Sequence, residues 1–256
     1  MTPEELDDVA GRLWTARLAD DHAPEWLANS LTLDDALQVQ IRLLRRYEAA
    51  GAKLAGWKVG LTSERARSAL GADVRPFGFI TQVLRSPASV TASAVRRPSI
   101  EPEFVFTVGD RLGDAEVSPE EARAAMASVA AGYELNEQRA GSVRPDLPLF
   151  VTDRLSQWAI VEGDAHPLPG SSLDPNDVVV RMRCDGEERL DARSSDELDD
   201  HWSSLARLAT GLHAHGLALE PGQKVITGAL GRFSVNPGEH WLTTFEGIGD
   251  VEVRWI

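Results

Sequence analysis

The run Ile100-Glu101-Pro102-Glu103-Phe104-Val105-Phe106 limits what this chain can fold into more than any other stretch. Its apolar end reads as a strand, and residues two apart on a strand point to the same face. Glu101 and Glu103 therefore project together, with Pro102 on the other side. Proline cannot donate to a ladder, so Pro102 predicts the start or the edge of a strand. Two carboxylates on one face repel each other unless positive charge sits between them. A divalent cation is one solution, and a third carboxylate would complete its site. Tyr133-Glu134-Leu135-Asn136-Glu137 follows about one supersecondary unit later and offers Glu134.

The chain has 256 residues, enough for one large domain or one domain with a helical cap. The pattern divides it into a helical N-terminal region, 1–52, and a β-rich catalytic region, 53–256, which together form one mixed unit. No apolar run approaches the length that spans a bilayer. The acidic start Met1-Thr2-Pro3-Glu4-Glu5 has no apolar core of a signal peptide. Cys184 is the only cysteine, so no intrachain disulfide and no zinc-ribbon spacing exist. The expectation is a cytoplasmic protein with no membrane segment. A net charge of −14 argues against non-specific nucleic-acid binding. It leaves room for a small anionic substrate, because a local metal or lysine can dominate a pocket.

Thr2-Pro3-Glu4-Glu5 is a helix start with its N-cap, Pro at N1 and Glu at N3, continued by Leu6, Val9, Leu13 and Ala16. Thr32-Leu33-Asp34-Asp35 opens a second helix, whose apolar face holds Ala36, Leu37, Ile41, Leu44 and Tyr47 and which Gly51 ends. Gln38 and Gln40 read as surface or locally bonded groups on it. Strands are expected at 55–61, 76–80 and through most of 90–108. Ser118-Pro119-Glu120-Glu121 starts a helix filled by 122–129, and 132–137 returns to the sheet as a strand. Residues 140–150 read as a loop, 149–155 as helical and 158–161 as a buried strand. A hairpin is expected around Asp185-Gly186. A helix is expected over 196–215, and strands at 223–228, 240–245 and 250–256.

Three oxygen donors with open positions suit Mg²⁺ or Mn²⁺. On spacing alone, Glu-x-Glu on a strand is more often a solvated face. Lysine occurs only at Lys53, Lys58 and Lys224. Lys58 sits in the apolar run Ala55-Gly56-Trp57-Lys58-Val59-Gly60-Leu61, where burial would favour a proton-transfer role. A lysine reaching out from a strand end is the plainer alternative. Arg139 can meet a substrate carboxylate with a two-pronged fork or pair with a neighbouring acid. The six histidines, among them His22 and His201, show no ligand spacing and read as structural. No glycine-rich phosphate loop and no Gly-x-Ser-x-Gly elbow is present.

Four blocks occur in one order: Gly56-Trp57-Lys58-Val59-Gly60-Leu61-Thr62-Ser63, Ile100-Glu101-Pro102-Glu103, Glu134 through Arg139, and Leu219-Glu220-Pro221-Gly222-Gln223-Lys224-Val225-Ile226-Thr227-Gly228. Together they resemble the hydratase/decarboxylase branch of the fumarylacetoacetate hydrolase superfamily, and the likeness runs from the second helix to the C-terminus. The resemblance implies an α+β fold, a mixed β-sandwich roll with a helical N-terminal region. It implies a divalent metal, Mg²⁺ or Mn²⁺, on Glu101, Glu103 and Glu134. It implies a small 2-oxo or 2-hydroxydienoic acid as substrate, Lys58 as acid/base or oxyanion partner, and a homo-oligomer.

Departures from the family pattern fall around the substrate. Pro76 stands where the hydratases carry an acid, and Asp73 and Arg75 do not replace it. Asp153-Arg154-Leu155-Ser156 stands for Asp-Asn-Ala-Ser, and Thr227-Gly228-Ala229 for Thr-Gly-Ser. Arg139, Arg154, Ser156 and Thr227 are the expected substrate-binding residues. Arg154 adds a positive charge, which suggests a substrate with an extra anionic group or an altered reaction. The reading that results is a lyase of the 2-keto-4-pentenoate hydratase kind. A decarboxylase of the 4-oxalocrotonate kind, a carbon–carbon hydrolase of acylpyruvates and a non-catalytic partner subunit stand as alternatives.

Overall fold

The computed structural model describes residues 1–20, 25–70, 74–139 and 146–256. His22, Asp73 and part of the expected 140–150 loop lie outside them. The first half contains α1 (Pro3–Leu18), α2 (Leu33–Ala49), β1 (Gly56–Val59), α3 (Glu64–Leu70), β2 (Phe77–Ile80), β3 (Val83–Arg85), β4 (Ala88–Val90) and β5 (Pro98–Val108). Then come α4 (Pro119–Ala124), β6 (Met126–Glu137), α5 (Leu147–Thr152), β7 (Gln157–Pro167), β8 (Val179–Cys184) and β9 (Glu187–Arg193). The chain finishes with α6 (Ser194–Glu197), α7 (His201–His213), β10 (Lys224–Ala229), β11 (Phe233–Ser234), β12 (His240–Phe245) and β13 (Gly249–Trp255). Capping boxes start three of the helices where the sequence marks them, at Thr2/Glu5, Thr32/Asp35 and Ser118/Glu121.

The larger sheet runs β2-β1-β10-β5-β6-β7-β3, with β11 joining β5. Its edges, β2 and β3, are joined by only residues 81 and 82, so the two edges lie side by side and the sheet curls into a roll. The alternation of side chains then gives each strand an inner and an outer face. Ile80, Val105, Ala130, Ile160 and Ile226 fill the inside as a separate apolar plug. Trp57, Phe79, Phe104, Phe106, Tyr133 and Leu135 face outward into the main core. A second sheet, β4-β13-β12-β8-β9, stacks on that outer face, where the Tyr133 hydroxyl meets Thr243 Oγ1 at 2.8 Å. Helices α1 and α2 cover β2: Tyr47 packs edge-on against Trp14 and Phe79.

Several expectations are corrected. Pro102 is neither at a strand start nor on an edge, because β5 lies between β10 and β6. It is tolerated because it falls in the gap between the β10 ladder, which ends at Glu103, and the β11 ladder, which begins at Ile100, so its missing N–H interrupts no regular pairing. The helix expected through residue 129 stops at Ala124, and residues from Met126 onward extend the β5–β6 hairpin. Local alanine-rich propensity yields there to the ladder and to the roll's need for small inward residues. The helix expected over 196–215 breaks at Asp200, whose side chain caps α7 by accepting from Ser203 N. Gln40 is fully buried and donates to the carbonyls of Phe77 and Val151, tying α2 to β2 and α5.

Candidate active site

One end of the roll's inner face carries the charge. Glu101 and Glu103 lie on β5, and Glu134 on β6 stands opposite Glu101 in the register. One oxygen from each of the three carboxylates lies within 4.8 Å of the other two. The set is graded in depth: Glu101 is 9 % exposed, Glu103 2 % and Glu134 0 %. Lys58, on β1, reaches across and donates to both Glu134 oxygens at 2.5 and 2.6 Å. Small residues keep this space open. A Cβ at Gly132, opposite Glu103, would fall 2.2 Å from Val105 Cγ2.

Burial pushes the Glu134 carboxyl up to about 7, although Lys58 opposes the rise; the neighbouring Glu101 charge adds to it. Burial and the Glu134 charge raise Glu103 well above the ordinary carboxylate range. Gly228 N partly offsets this by donating to Glu103 Oε2 at 2.8 Å. Gly228 holds φ +130°, and a Cβ there would sit 1.9 Å from Thr62 Oγ1, so only glycine brings this backbone N–H to the carboxylate.

These groups open into a cavity of about 200 Å³, whose wall also includes Thr62, Asn136, Phe150, Leu155, Ala229 and Arg232. Lys58, Glu101, Glu103 and Glu134 share it. Arg139, Arg154, Ser156 and Thr227 lie behind the wall. Arg139 is buried and pairs with Glu137 and Asp153. Arg154 is buried against the edge-on pair of rings of Tyr47 and Phe79, with its guanidinium carbon 4.9 and 5.1 Å from their centroids. Ser156 is buried beside it, and residues 154–156 all hold left-handed φ near 60°. That turn sends Arg154 away and presents Leu155 to the cavity. Thr227 Oγ1 is 2.7 Å from Nδ1 of His201, a buried imidazole pushed down to about 4 by desolvation.

Asn136, Arg232, Phe150 and Leu155 are among the wall residues that the reading of the sequence did not place there. Asn136 had a signal, being two residues beyond Glu134 on the same strand and hence on the same face. Arg232 follows the β10 block, but nothing local aims it inward. Phe150 and Leu155 read as ordinary helix residues.

The model of the C-terminal domain of fumarylacetoacetate hydrolase matches residues 64–255. The chain belongs to this fumarylacetoacetate hydrolase family. Within the family it is 26 % identical over 245 residues to 2-hydroxyhexa-2,4-dienoate hydratase of Comamonas testosteroni, covering 94 % of this chain and 90 % of that one. It is 28 % identical over 229 residues to 4-oxalocrotonate decarboxylase of Pseudomonas sp. strain CF600, covering 88 % and 86 %. The structure of 4-oxalocrotonate decarboxylase from Pseudomonas putida G7, complexed with magnesium and adipate, matches at a TM-score of 0.91 and 25 % identity, over 100 % of this chain and 99 % of that one. The α+β roll with its helical N-terminal region is thus a fold of this family. Among the described residues no helix is long and apolar enough to cross a membrane.

Proposed function

We propose that this chain is a divalent-metal-dependent lyase acting on an unsaturated 2-oxo or 2-hydroxydienoic acid, of the 2-keto-4-pentenoate hydratase kind. The observation that carries this reading is one buried lysine set among three mutually close carboxylates in a cavity. The donor set fits Mg²⁺ or Mn²⁺ on Glu101, Glu103 and Glu134. All donors are carboxylate oxygens, and three carboxylates outnumber the two cations that pair with them, Lys58 and Arg232, so negative charge remains for a cation to meet. When bound, such an ion supplies Lewis-acid polarisation of a 2-oxo acid's oxygens.

The protein's own groups supply the rest. Glu134 holds the Lys58 ammonium with two hydrogen bonds, which leaves one of its three N–H donors for substrate. Lys58 relays the proton that leaves the 2-hydroxyl of a dienol and arrives on the far diene carbon. Water then adds to the enone so formed. Leu155 and Phe150 give the cavity an apolar wall for the carbon chain. Arg139, Arg154, Ser156 and Thr227 act from behind the wall, holding the 153–156 turn and the Gly228 backbone in place. Assembly as a homo-oligomer in the cytoplasm belongs to the same reading and rests on the resemblance. Sedimentation velocity tests the assembly.

A decarboxylase of the 4-oxalocrotonate kind is the second reading, favoured by one observation. Among the described residues, the three glutamates are the only acids in the cavity wall. Pro76 offers only its carbonyl, which accepts from Gly60 N at 2.7 Å. Loss of CO₂ needs no acid to activate water. The two readings separate when the purified protein with Mg²⁺ or Mn²⁺ is given 2-hydroxypenta-2,4-dienoate and 2-oxohex-3-enedioate, with ultraviolet absorbance and CO₂ followed together. Loss of the dienoate absorbance without CO₂ marks the hydratase, and CO₂ from the dioate marks the decarboxylase. No turnover of either, with metal bound, would sink both.

A further inference from the structure

Arg154 is the most deeply buried arginine among the described residues, at 2 % exposed. It lies against the rings of Tyr47 and Phe79. Contact with a ring engages the face of a planar guanidinium, and the five N–H donors, which lie in its plane, must find partners elsewhere. Nη1 of Arg154 is buried with no hydrogen-bond partner. The neighbouring carboxylates of Glu137 and Asp153 are engaged by Arg139. A buried charge is costly unless it is both paired and hydrogen-bonded, so Arg154 marks a place where a counter-charge belongs.

A second cation stands on the same ring. Arg17, in the last turn of α1, has its guanidinium carbon 5.0 Å from the Tyr47 centroid, and its Nη1 is likewise buried with no hydrogen-bond partner. Two like charges thus share one phenol, and the low dielectric of the interior strengthens their repulsion. Burial holds the Arg154 guanidinium below its ordinary range, and the Arg17 charge adds to the depression. An anion reverses both effects, because it accepts the in-plane N–H groups and offsets the repulsion. Arg17 and Tyr47 are half-buried, so the position is reached from the α1 side. It lies behind the catalytic wall, since the left-handed turn at 154–156 gives Leu155 to the cavity of the three glutamates and turns Arg154 away from it.

We propose that Arg154 and Arg17, gathered on the Tyr47 ring, bind a small oxyanion at a site separate from the catalytic cavity. The ligand class follows from the donors. A guanidinium fork matches two oxygens held by one centre, as in a sulfate, a phosphate or a carboxylate, and matches a monatomic anion such as chloride poorly. Arg154 supplies the dry, directional donors, and Arg17 supplies further charge at the mouth. The positive charge that Arg154 brings to the 153–156 turn therefore meets an anion other than the substrate held at the glutamates. The assignment is independent of the reaction carried out there.

The test is calorimetric titration of sulfate and, separately, of acetate into the purified protein, with sodium chloride of matched ionic strength as the blank. At least one of the two should bind with a stoichiometry of one per chain, and which of them binds more tightly tells a tetrahedral oxyanion from a carboxylate. A net charge of −14 works against adventitious anion binding elsewhere. Arg154→Met keeps an apolar stem against the rings and should weaken binding by about tenfold or more. Arg154→Lys, which keeps the charge without the fork, should weaken it several-fold and keeps the test open if the methionine variant does not fold. Arg17→Gln should weaken it by about threefold or more. Lys58→Met and Arg232→Gln remove cations of the catalytic cavity and should leave the affinity unchanged. Binding of neither anion overturns the assignment. So does full-strength binding in either folded Arg154 variant or in Arg17→Gln. Loss of binding in Lys58→Met or Arg232→Gln overturns it as well, because the anion then sits among the glutamates.

Discussion

The two ends of the rolled sheet carry the same pair of residue types and put them to different use. At one end Lys58 meets Glu134; at the other Lys224 meets Glu162 at 2.7 Å and donates to Thr107 Oγ1 at 3.0 Å. Both pairs lie on the inner face, and the plug of Ile80, Val105, Ala130, Ile160 and Ile226 separates them. At the Lys224 end, Arg85 Nη1 also reaches Glu162 at 3.2 Å, so cations meet the acid and the charge is covered. At the Lys58 end, two further carboxylates crowd the pair and leave negative charge in excess. A buried lysine–glutamate contact alone does not mark a site. Uncompensated charge beside a cavity does.

The largest contrast is expected in turnover. Lys58→Met should lower kcat/KM by about 10³, the usual scale of a lost proton-transfer group. Its Mg²⁺ affinity should not weaken, because the ammonium competes with the ion for Glu134. Lys224→Met should keep activity within a few-fold. Steady-state kinetics beside a Mg²⁺ titration reads both, and comparable activity losses in the two variants would erase the distinction between the ends. The carboxylates give the next effect. Glu103→Gln should weaken Mg²⁺ binding by about 10²-fold or more, whereas Glu162→Gln should leave it unchanged. Unchanged affinity in Glu103→Gln shows that the ion is held elsewhere.

The pH dependence sharpens the same point. With Glu134 lifted to about 7, a proton occupies that carboxylate below neutrality and must leave before an ion binds. Mg²⁺ affinity should therefore fall by about tenfold or more per pH unit below pH 7, since the raised Glu103 carboxyl adds to the slope. Stability follows the opposite course in the metal-free protein. The folded pKa lies above the unfolded one, so between about 4.5 and 7 the folded state holds more protons, and stability falls as pH rises through that window. The thermal shift produced by saturating Mg²⁺ should accordingly grow from pH 5 to pH 7. A flat shift over that range contradicts an unbalanced Glu134.

What was legible in the sequence was local and periodic. The same-face placement of Glu101 and Glu103 follows from the two-residue repeat alone, and Lys58 stood out as a scarce lysine in an apolar run. The capping boxes marked their helices for the same reason. What was not legible depends on how distant segments meet. The left-handed turn at residues 154–156 decides that Leu155 faces the cavity and Arg154 the aromatic rings, and no spacing rule foretells it. The residues from Met126 to Val129 look helical until they are paired with Val108 through Phe106. Arg232 becomes part of the wall only because β11 joins the edge of β5 that β10 leaves beyond its register shift.

The smallest effect separates a structural ion pair from a functional one by what restores it. Lys224 and Glu162 are partly reached by solvent, with side chains 20 % and 10 % exposed. Glu162→Gln leaves Lys224 and Arg85 without their shared acid, and partial access to water limits the loss to about 1–2 kcal/mol. A well-packed apolar pair removes both the charge and the need to solvate it. Lys224→Met combined with Glu162→Leu should therefore recover most of the stability lost in Glu162→Gln, as read from urea midpoints at constant slope. The matching exchange at the other end, Lys58→Met with Glu134→Leu, should also fold, since it relieves buried like charge, yet bind Mg²⁺ poorly and turn over no substrate. If the apolar exchange at Lys224 and Glu162 also abolishes turnover while the protein stays folded, that end belongs to the catalytic machinery as well.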